Sequence, residues 1–268
     1  MDVFREGLFE GRTALITGGG TGIGRGIAEA LAAYGARCAL MSRRAEHVEP
    51  AAADIAGKSG RACLPLVADV RQPEQVEAAV AKVVGTLGRL DIVINAAAGN
   101  FLCPASDLTY NGFGAVIDID TKGTWNVSKA AYDAWLREHG GQFLNISATL
   151  HYGGTPAQLH VSAAKAAVDA LTRNLAVEWG PQGIRVNAIA PGPIADTEGA
   201  RRLFPGPIAE RLQQVTPTRR LGRVEDIVNL SLFLLSDAAS NIHGAIVVSD
   251  GGLCLTGSFG ALFEALKS

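Results

Sequence analysis

The sequence predicts an α/β protein of three layers, with helices covering both faces of a doubly wound, seven-stranded parallel sheet. Seven short apolar, β-branched runs alternate with longer stretches of helical period, which is the pattern of βαβ units. Those runs are near-continuously hydrophobic, which implies strands buried on both faces. A glycine string also lies directly between the first run and the first helical stretch.

Taken in order, "TALIT" (13–17) reads as the first strand and 23–34 as the helix that follows it. "RCALM" (37–41) and "ACLPLV" (62–67) come next, then a helix over 73–86 and the strand "LDIVIN" (90–95). A long helical stretch over 112–138 leads to "QFLNIS" (142–147), and a second over 158–179 leads to "IRVNAIA" (184–190). A helix over 224–236 and the strand "AIVVS" (245–249) complete the pattern. The longest apolar run, "IVNLSLFLL" from Ile227, is too short for a bilayer span and contains Asn229 and Ser231, so it reads as a buried helix. The length of 268 residues permits one large domain or two small ones. With no linker-like stretch and no internal repeat, residues 1–268 read as a single domain.

With 24 basic against 26 acidic side chains, the chain carries no bulk electrostatic footprint for nucleic acid or an anionic membrane. Small molecules and copies of itself are the expected partners. Cys38, Cys63, Cys103 and Cys254 show neither disulfide nor metal-ligand spacing and read as buried, reduced thiols. No metal is expected. "MDVFREGLFEGR" holds no signal-peptide core, and the ending "ALKS" has the letters of a peroxisomal address in the wrong order, so the expected location is cytoplasmic.

The string "TGGGTGIG" places Thr17, Gly18, Gly22 and Gly24 in a TGxxxGxG pattern, with Gly20, Thr21 and Ile23 between them. Glycines let the backbone turn tightly and approach a pyrophosphate, and the helix start offers free N–H groups. At the end of the second strand, where an NAD-selective site places an acid, stand Arg43 and Arg44. A guanidinium suits a ribose 2′-phosphate, which favours NADPH; the alternative is a solvated arginine pair at a loop mouth. Asp69 and Val70 end the third strand on the adenine side, and Asn95 and Ala96 end the fourth beside the cofactor.

With "DIVINAAAG", "LAVEWG", "IRVNAIAPGPI" and "VVSDGG", these motifs resemble the short-chain dehydrogenase/reductase family over nearly the whole chain. The resemblance implies a Rossmann-like fold, hydride transfer from a nicotinamide and a homotetramer. Family members usually carry an Asn–Ser–Tyr–Lys set. The matching positions here are Asp120, Ala148, Val161 and Lys165, so only the lysine remains. Ser147, Tyr152, His160 and Ser162 do not stand at the family's spacing to Lys165, and His160 would face elsewhere on its helix.

Ketone reduction needs a proton delivered to oxygen by a positioned acid, and the phenol that supplies it is missing. Conjugate reduction of an unsaturated thioester instead gathers charge on the thioester oxygen and ends with the proton on carbon. In keeping with that, "NAAAGNFLCPASDLTYNGF", "VIDIDTKGT", "NISATL" and "APGPIADTEGARRL" resemble the dienoyl-CoA reductase branch of the family, of the peroxisomal type. The resemblance implies NADPH-dependent reduction of a 2,4-dienoyl-CoA to a 3-enoyl-CoA in β-oxidation of unsaturated fatty acids. The alternatives are a trans-2-enoyl-CoA reductase and a catalytically silent NADPH-binding sensor or scaffold.

On this reading Lys165 binds the nicotinamide ribose and supplies positive charge, and Asp120 holds a proton-delivering water between itself and Lys165. The bland alternative for Asp120 is an acid capping the next helix segment. Pro191, Gly192, Ile194 and Thr197 would close over the nicotinamide, and residues 196–216 would cover the substrate. Arg202, Arg71 and Arg43 are candidates for coenzyme A phosphates, against the alternative that surface arginines are merely solvated. The same resemblance implies that Phe101 and the stretch from Thr109 to Asn111 line the acyl channel, the alternative for Phe101 being an aromatic packed in the core.

Overall fold

The computed structural model describes residues 3–204 and 206–256. The ending "ALKS" and Pro205 of the covering segment lie outside them. Seven strands form one parallel sheet: β1 (Thr13–Thr17), β2 (Arg37–Ser42), β3 (Cys63–Val67), β4 (Ile92–Asn95), β5 (Gly141–Ile146), β6 (Ile184–Pro191) and β7 (Ile246–Ser249). Their spatial order is β3-β2-β1-β4-β5-β6-β7. The winding therefore reverses between β1 and β4, where Thr17 stands beside Asn95. In such sheets the crevice beyond the carboxyl ends at the reversal is where ligands bind.

Strand side chains alternate between faces, so the sheet feeds two cores. Ala14 and Ile16 of β1 pack with Ile27 and Leu31 of α1 (Gly22–Ala33), while Leu15 points the other way to join Val80, Val83 and Phe143. Burying each such Leu or Ile stabilises the fold by roughly 1.5–3 kcal/mol. The expectation of burial on both faces holds for the central strands and fails at the edges: Val67 of β3 and Val248 of β7 are exposed, because an edge strand lacks neighbours on one side.

A helix that hydrophobic periodicity did not announce, α2 (Ala45–Ser59), follows β2. Pro50 inside it has no N–H to give and Gly57 weakens propensity, which hid the pattern. The signal was present in Val48, Ala51, Ala52 and Ile55, all buried and spaced by helical turns. α3 (Pro73–Leu87) has proline in its first turn, where no hydrogen bond is lost, and ends at Gly88 in the left-handed conformation.

The stretch expected over 112–138 is not one regular helix. It comprises α4 (Tyr110–Val116), a π-helical turn Ile117–Lys122, α5 (Gly123–Ala131), a second π-helical turn Tyr132–Leu136 and a last turn α6 (Arg137–His139). Asp120 lies in the first π turn and is fully buried. α7 (Leu159–Trp179) carries Lys165, and α8 (Glu198–Leu203) with α9 (Pro207–Val215) makes up the covering segment. α10 (Val224–Leu235), expected as a buried helix from Ile227 onward, buries Ile227, Leu232, Leu234 and Leu235 and leaves Asn229 and Phe233 exposed. Of the four cysteines, all free, only Cys38 is fully buried; the other three are half-buried. Burial raises the Cys38 thiol well above its usual range and pushes Cys63, its register partner on β3, up to about 12.

Candidate active site

A cleft of about 500 Å³ opens at the winding reversal. At one end the turn after β1 folds as its glycines require. Gly18 has φ +65°, and a Cβ there would lie 2.9 Å from the Ala96 carbonyl oxygen. A Cβ on Gly24 would lie 2.6 Å from the Gly18 carbonyl, so only glycine lets α1 start this close to the turn. Gly22, at φ +52°, has nothing nearer its Cβ position than Thr197 at 3.6 Å, leaving a bare backbone cradle open to the cleft. That cradle and the start of α1 fit the pyrophosphate of a nicotinamide dinucleotide, and Arg43 stands on the same wall.

Of the residues expected around the cofactor, Gly18, Thr21, Gly22, Ile23, Gly24, Arg43, Arg44, Val70, Ala96, Lys165, Pro191 and Thr197 line the cleft. The others do not. Thr17 is buried, and its hydroxyl oxygen accepts from the Ala96 and Ala97 N–H groups at 3.0 Å each, which fixes the exit of β4. Gly20 turns back onto His47 of α2. Asn95 donates to Ser128 and Asn145 at 3.1 and 2.8 Å, bracing the sheet beneath the cleft. Gly192 packs on Asp250, and Ile194 is buried in a bridge to Gly222.

Asp69 and Arg71 stand outside the lining and pair with each other: Arg71 Nη2 lies 2.5 Å from the Asp69 carboxylate. That guanidinium holds the Asp69 carboxyl below the usual carboxylate range, despite partial burial acting the other way. The Arg71 fork, expected on a coenzyme A phosphate, is thus already engaged by the neighbouring acid.

At the nicotinamide end, Lys165 Nζ donates to the Ile146 carbonyl at 2.9 Å and lies 3.2 Å from Asp120 Oδ2. Asp120 Oδ1 accepts the Gly99 N–H at 2.7 Å. The water expected between acid and lysine gives way to a direct buried ion pair, for at 3.2 Å nothing fits between them. Asp120 does not act as a helix cap.

The vacant tyrosine position is filled with hydrocarbon. Val161 packs with Val116 and Ala164, and Leu150 closes on the same cluster. Of the alternative hydroxyls, that of Ser162 is buried without a partner, and those of Ser147 and Tyr152 turn to Asp169. Ser147 donates to Asp169 at 2.5 Å, and His151 Nε2 approaches the other Asp169 oxygen at 2.8 Å. Burial, with the Asp169 charge adding to it, pushes the Tyr152 phenol up to about 12, which makes it a poor acid. This Asp169 network was not anticipated from sequence, although Asp169 follows Lys165 by one helical turn.

On the substrate side, Arg202 lines the cleft and donates to the Asn100 carbonyl at 2.7 Å. Phe101 does not line the cleft; its ring stacks on His160 at 4.2 Å between centroids. Thr109 caps α4 by accepting the Gly112 N–H at 3.0 Å, and Asn111 is exposed one residue into that helix, so neither reaches the wall. Gly99, Asn100, Ile119, Leu150 and Glu198 do, and none of them was singled out in advance.

A family model described as "Enoyl-(Acyl carrier protein) reductase" matches residues 18–254. The chain belongs to the short-chain dehydrogenase/reductase family. Among curated relatives it is 50% identical over 256 residues to "Peroxisomal 2,4-dienoyl-CoA reductase [(3E)-enoyl-CoA-producing]" of Danio rerio, covering 95% of this chain and 85% of that one. It is 43% identical to "Probable 2,4-dienoyl-CoA reductase [(2E)-enoyl-CoA-producing]" of Bacillus subtilis, covering 91% and 96%. Among solved structures, levodione reductase is similar at 36% identity with a TM-score of 0.87, covering 92% of this chain and 99% of that one. A 7α-hydroxysteroid dehydrogenase complexed with NADH and 7-oxo glycochenodeoxycholic acid is 30% identical with a TM-score of 0.87, covering 93% and 98%. In this family member Asp120, Ala148 and Val161 occupy three of the four usual catalytic positions.

Proposed function

We propose that the protein is an NADPH-dependent 2,4-dienoyl-CoA reductase producing a 3-enoyl-CoA. The observation that carries this reading is the Asp120–Lys165 pair facing a wall of Val161 and Ala148. Such a site has a fixed cation for a developing negative charge and no phenol for an alkoxide. Bound in the cleft, the nicotinamide cofactor supplies a hydride.

The backbone at Gly18–Gly24 would hold the cofactor's pyrophosphate, Arg43 its 2′-phosphate and Lys165 its ribose. Hydride addition at C5 of a 2,4-dienoyl thioester pushes electrons through C4=C5 and C2=C3 onto the thioester oxygen. Lys165 offsets that charge, while Asp120, 3.2 Å away, holds Lys165 in place. A solvent proton then closes the reaction at C2, leaving the double bond at C3–C4. Arg202 remains a candidate for a coenzyme A phosphate, and the homotetramer expected for the family is part of the proposal.

A second reading has its own support in the Bacillus relative's name. The same dienolate protonated at C4 gives the 2-enoyl product, so the two readings differ only in which carbon meets the proton. The test follows NADPH oxidation with 2,4-hexadienoyl-CoA, a 2-enoyl-CoA and a 3-ketoacyl-CoA in parallel, with product analysis by NMR. Turnover of the dienoyl thioester to the 3-enoyl isomer is expected. Activity confined to the ketone overturns the proposal, and a 2-enoyl product moves the protonation site to C4.

A further inference from the structure

The segment Gly99–Cys103 has no regular secondary structure, and four separate elements hold its backbone. Asp120 accepts the Gly99 N–H at 2.7 Å, and Arg202 of α8 donates to the Asn100 carbonyl at 2.7 Å. His160 Nε2 lies 3.0 Å from the Phe101 carbonyl. Cys103 donates its N–H at 3.0 Å to the carbonyl of Ala157, a non-glycine residue held at φ +60°. Gly99 and Asn100 form part of the cleft wall, so the geometry of this strap is the geometry of the substrate side.

We infer that His160 is a positioning residue for the acyl-CoA substrate, setting the strap through both the carbonyl and the ring of Phe101. The inference rests on the reductase reading above. His160 is completely buried, and its ring stacks on that of Phe101 with an interplanar angle of 29°. The Phe101 carbonyl can only accept, so Nε2 is the donor of this bond, and Nδ1 is left buried without a partner. An orphaned buried nitrogen is unfavourable, and a residue selected only to fill this core would be apolar, as the adjacent Val161 is. Phenylalanine would supply the stacking alone and glutamine the hydrogen bond alone. Histidine supplies both in one side chain.

His160→Phe and His160→Gln separate the two contributions. For each variant the test measures kcat and KM on 2,4-hexadienoyl-CoA, the Kd for NADPH by fluorescence, and hydrogen exchange at Gly99–Leu102. His160→Phe is expected to raise KM roughly 10-fold with kcat within about twofold, the signature of lost positioning rather than lost chemistry. Amide exchange in the strap rises, the NADPH Kd holds, and His160→Gln recovers part of the KM. Phe101→Ala reproduces the split, and the double variant adds little to it, which keeps the test open should His160→Phe fold poorly.

Unchanged KM in both His160 variants, with an active wild type, overturns the role alone. KM, cofactor Kd and melting temperature moving together would show mere structural support and also overturn it. A wild type inactive on the dienoyl thioester overturns the proposed reaction and this role with it.

Discussion

The turn Gly18–Thr21 and the strap Gly99–Cys103 face one cleft, and each follows a strand of the same sheet, yet they are built by opposite means. The turn takes its shape from its own backbone: a positive φ at Gly18 and a contact that leaves no room for a Cβ on Gly24. The strap takes its shape from side chains 21, 59 and 102 residues away. The cofactor end is thereby a local property of the chain, and the substrate end a property of the assembled fold. Changes in the first should disturb cofactor affinity, changes in the second substrate affinity, and the Lys165–Asp120 pair between them should disturb everything.

Lys165→Met tests that last clause and carries the largest expected effect. It leaves the buried Asp120 carboxylate without its counter-charge, so unfolding free energy in denaturant should fall by roughly 3–5 kcal/mol. Turnover should drop by at least roughly 10²-fold. Gly24→Ala forces a Cβ against the Gly18 carbonyl at 2.6 Å. The Kd for NADPH, followed by fluorescence titration, should rise roughly 10- to 100-fold, or about 1.4–2.8 kcal/mol, while the acyl-CoA KM at saturating cofactor stays within about twofold. An equal rise in both constants would break the division of the cleft into two ends. Arg43→Asp should leave folding intact and shift the ratio of kcat/KM for NADPH over NADH by at least about 10-fold toward NADH.

Smaller effects sharpen the substrate side. Arg202→Ala removes the donor to the Asn100 carbonyl and should raise the acyl-CoA KM about fivefold with the NADPH Kd unchanged. The smallest effect is on pH dependence. Because Arg71 lowers the Asp69 carboxyl in the folded state, that pair's contribution to stability is present above the unfolded carboxylate pKa of about 4 and is lost as pH falls through the lower folded value. Asp69→Asn should therefore melt lower than wild type at neutral pH, and the two curves should converge in acid. A constant offset down the whole acid limb would assign Asp69 a role other than this ion pair.

The same division explains what was legible from sequence. Gly18, Gly22, Gly24, Arg43 and Lys165 act where a short motif places them, and all five line the cleft. The vacancy at Val161 was equally readable, because family spacing to Lys165 is counted along one helix. Phe101, Thr109 and Asn111 were expected on the wall and are not there, while Gly99 and Asn100 are. Which residues of a loop face inward is decided by partners such as Arg202 and His160, whose distance along the chain gives no local signal. Arg71 shows a related effect: Asp69, two residues away, engages its Nε and Nη2 and turns it from the cleft wall. α2 has helical apolar spacing in Val48, Ala51, Ala52 and Ile55, but Pro50 and Gly57 weaken its local signal.

The π turn Ile117–Lys122 gives Asp120 its direction. Such a turn accommodates one residue more than an α-helix would, and each residue turns the chain by about 100°. Deleting a single residue from that turn would restore a regular helix and swing the carboxylate about a quarter-turn from Lys165, with every reacting group still in the polypeptide. The Asp120–Lys165 pair is thus encoded in a count of residues as much as in their identities.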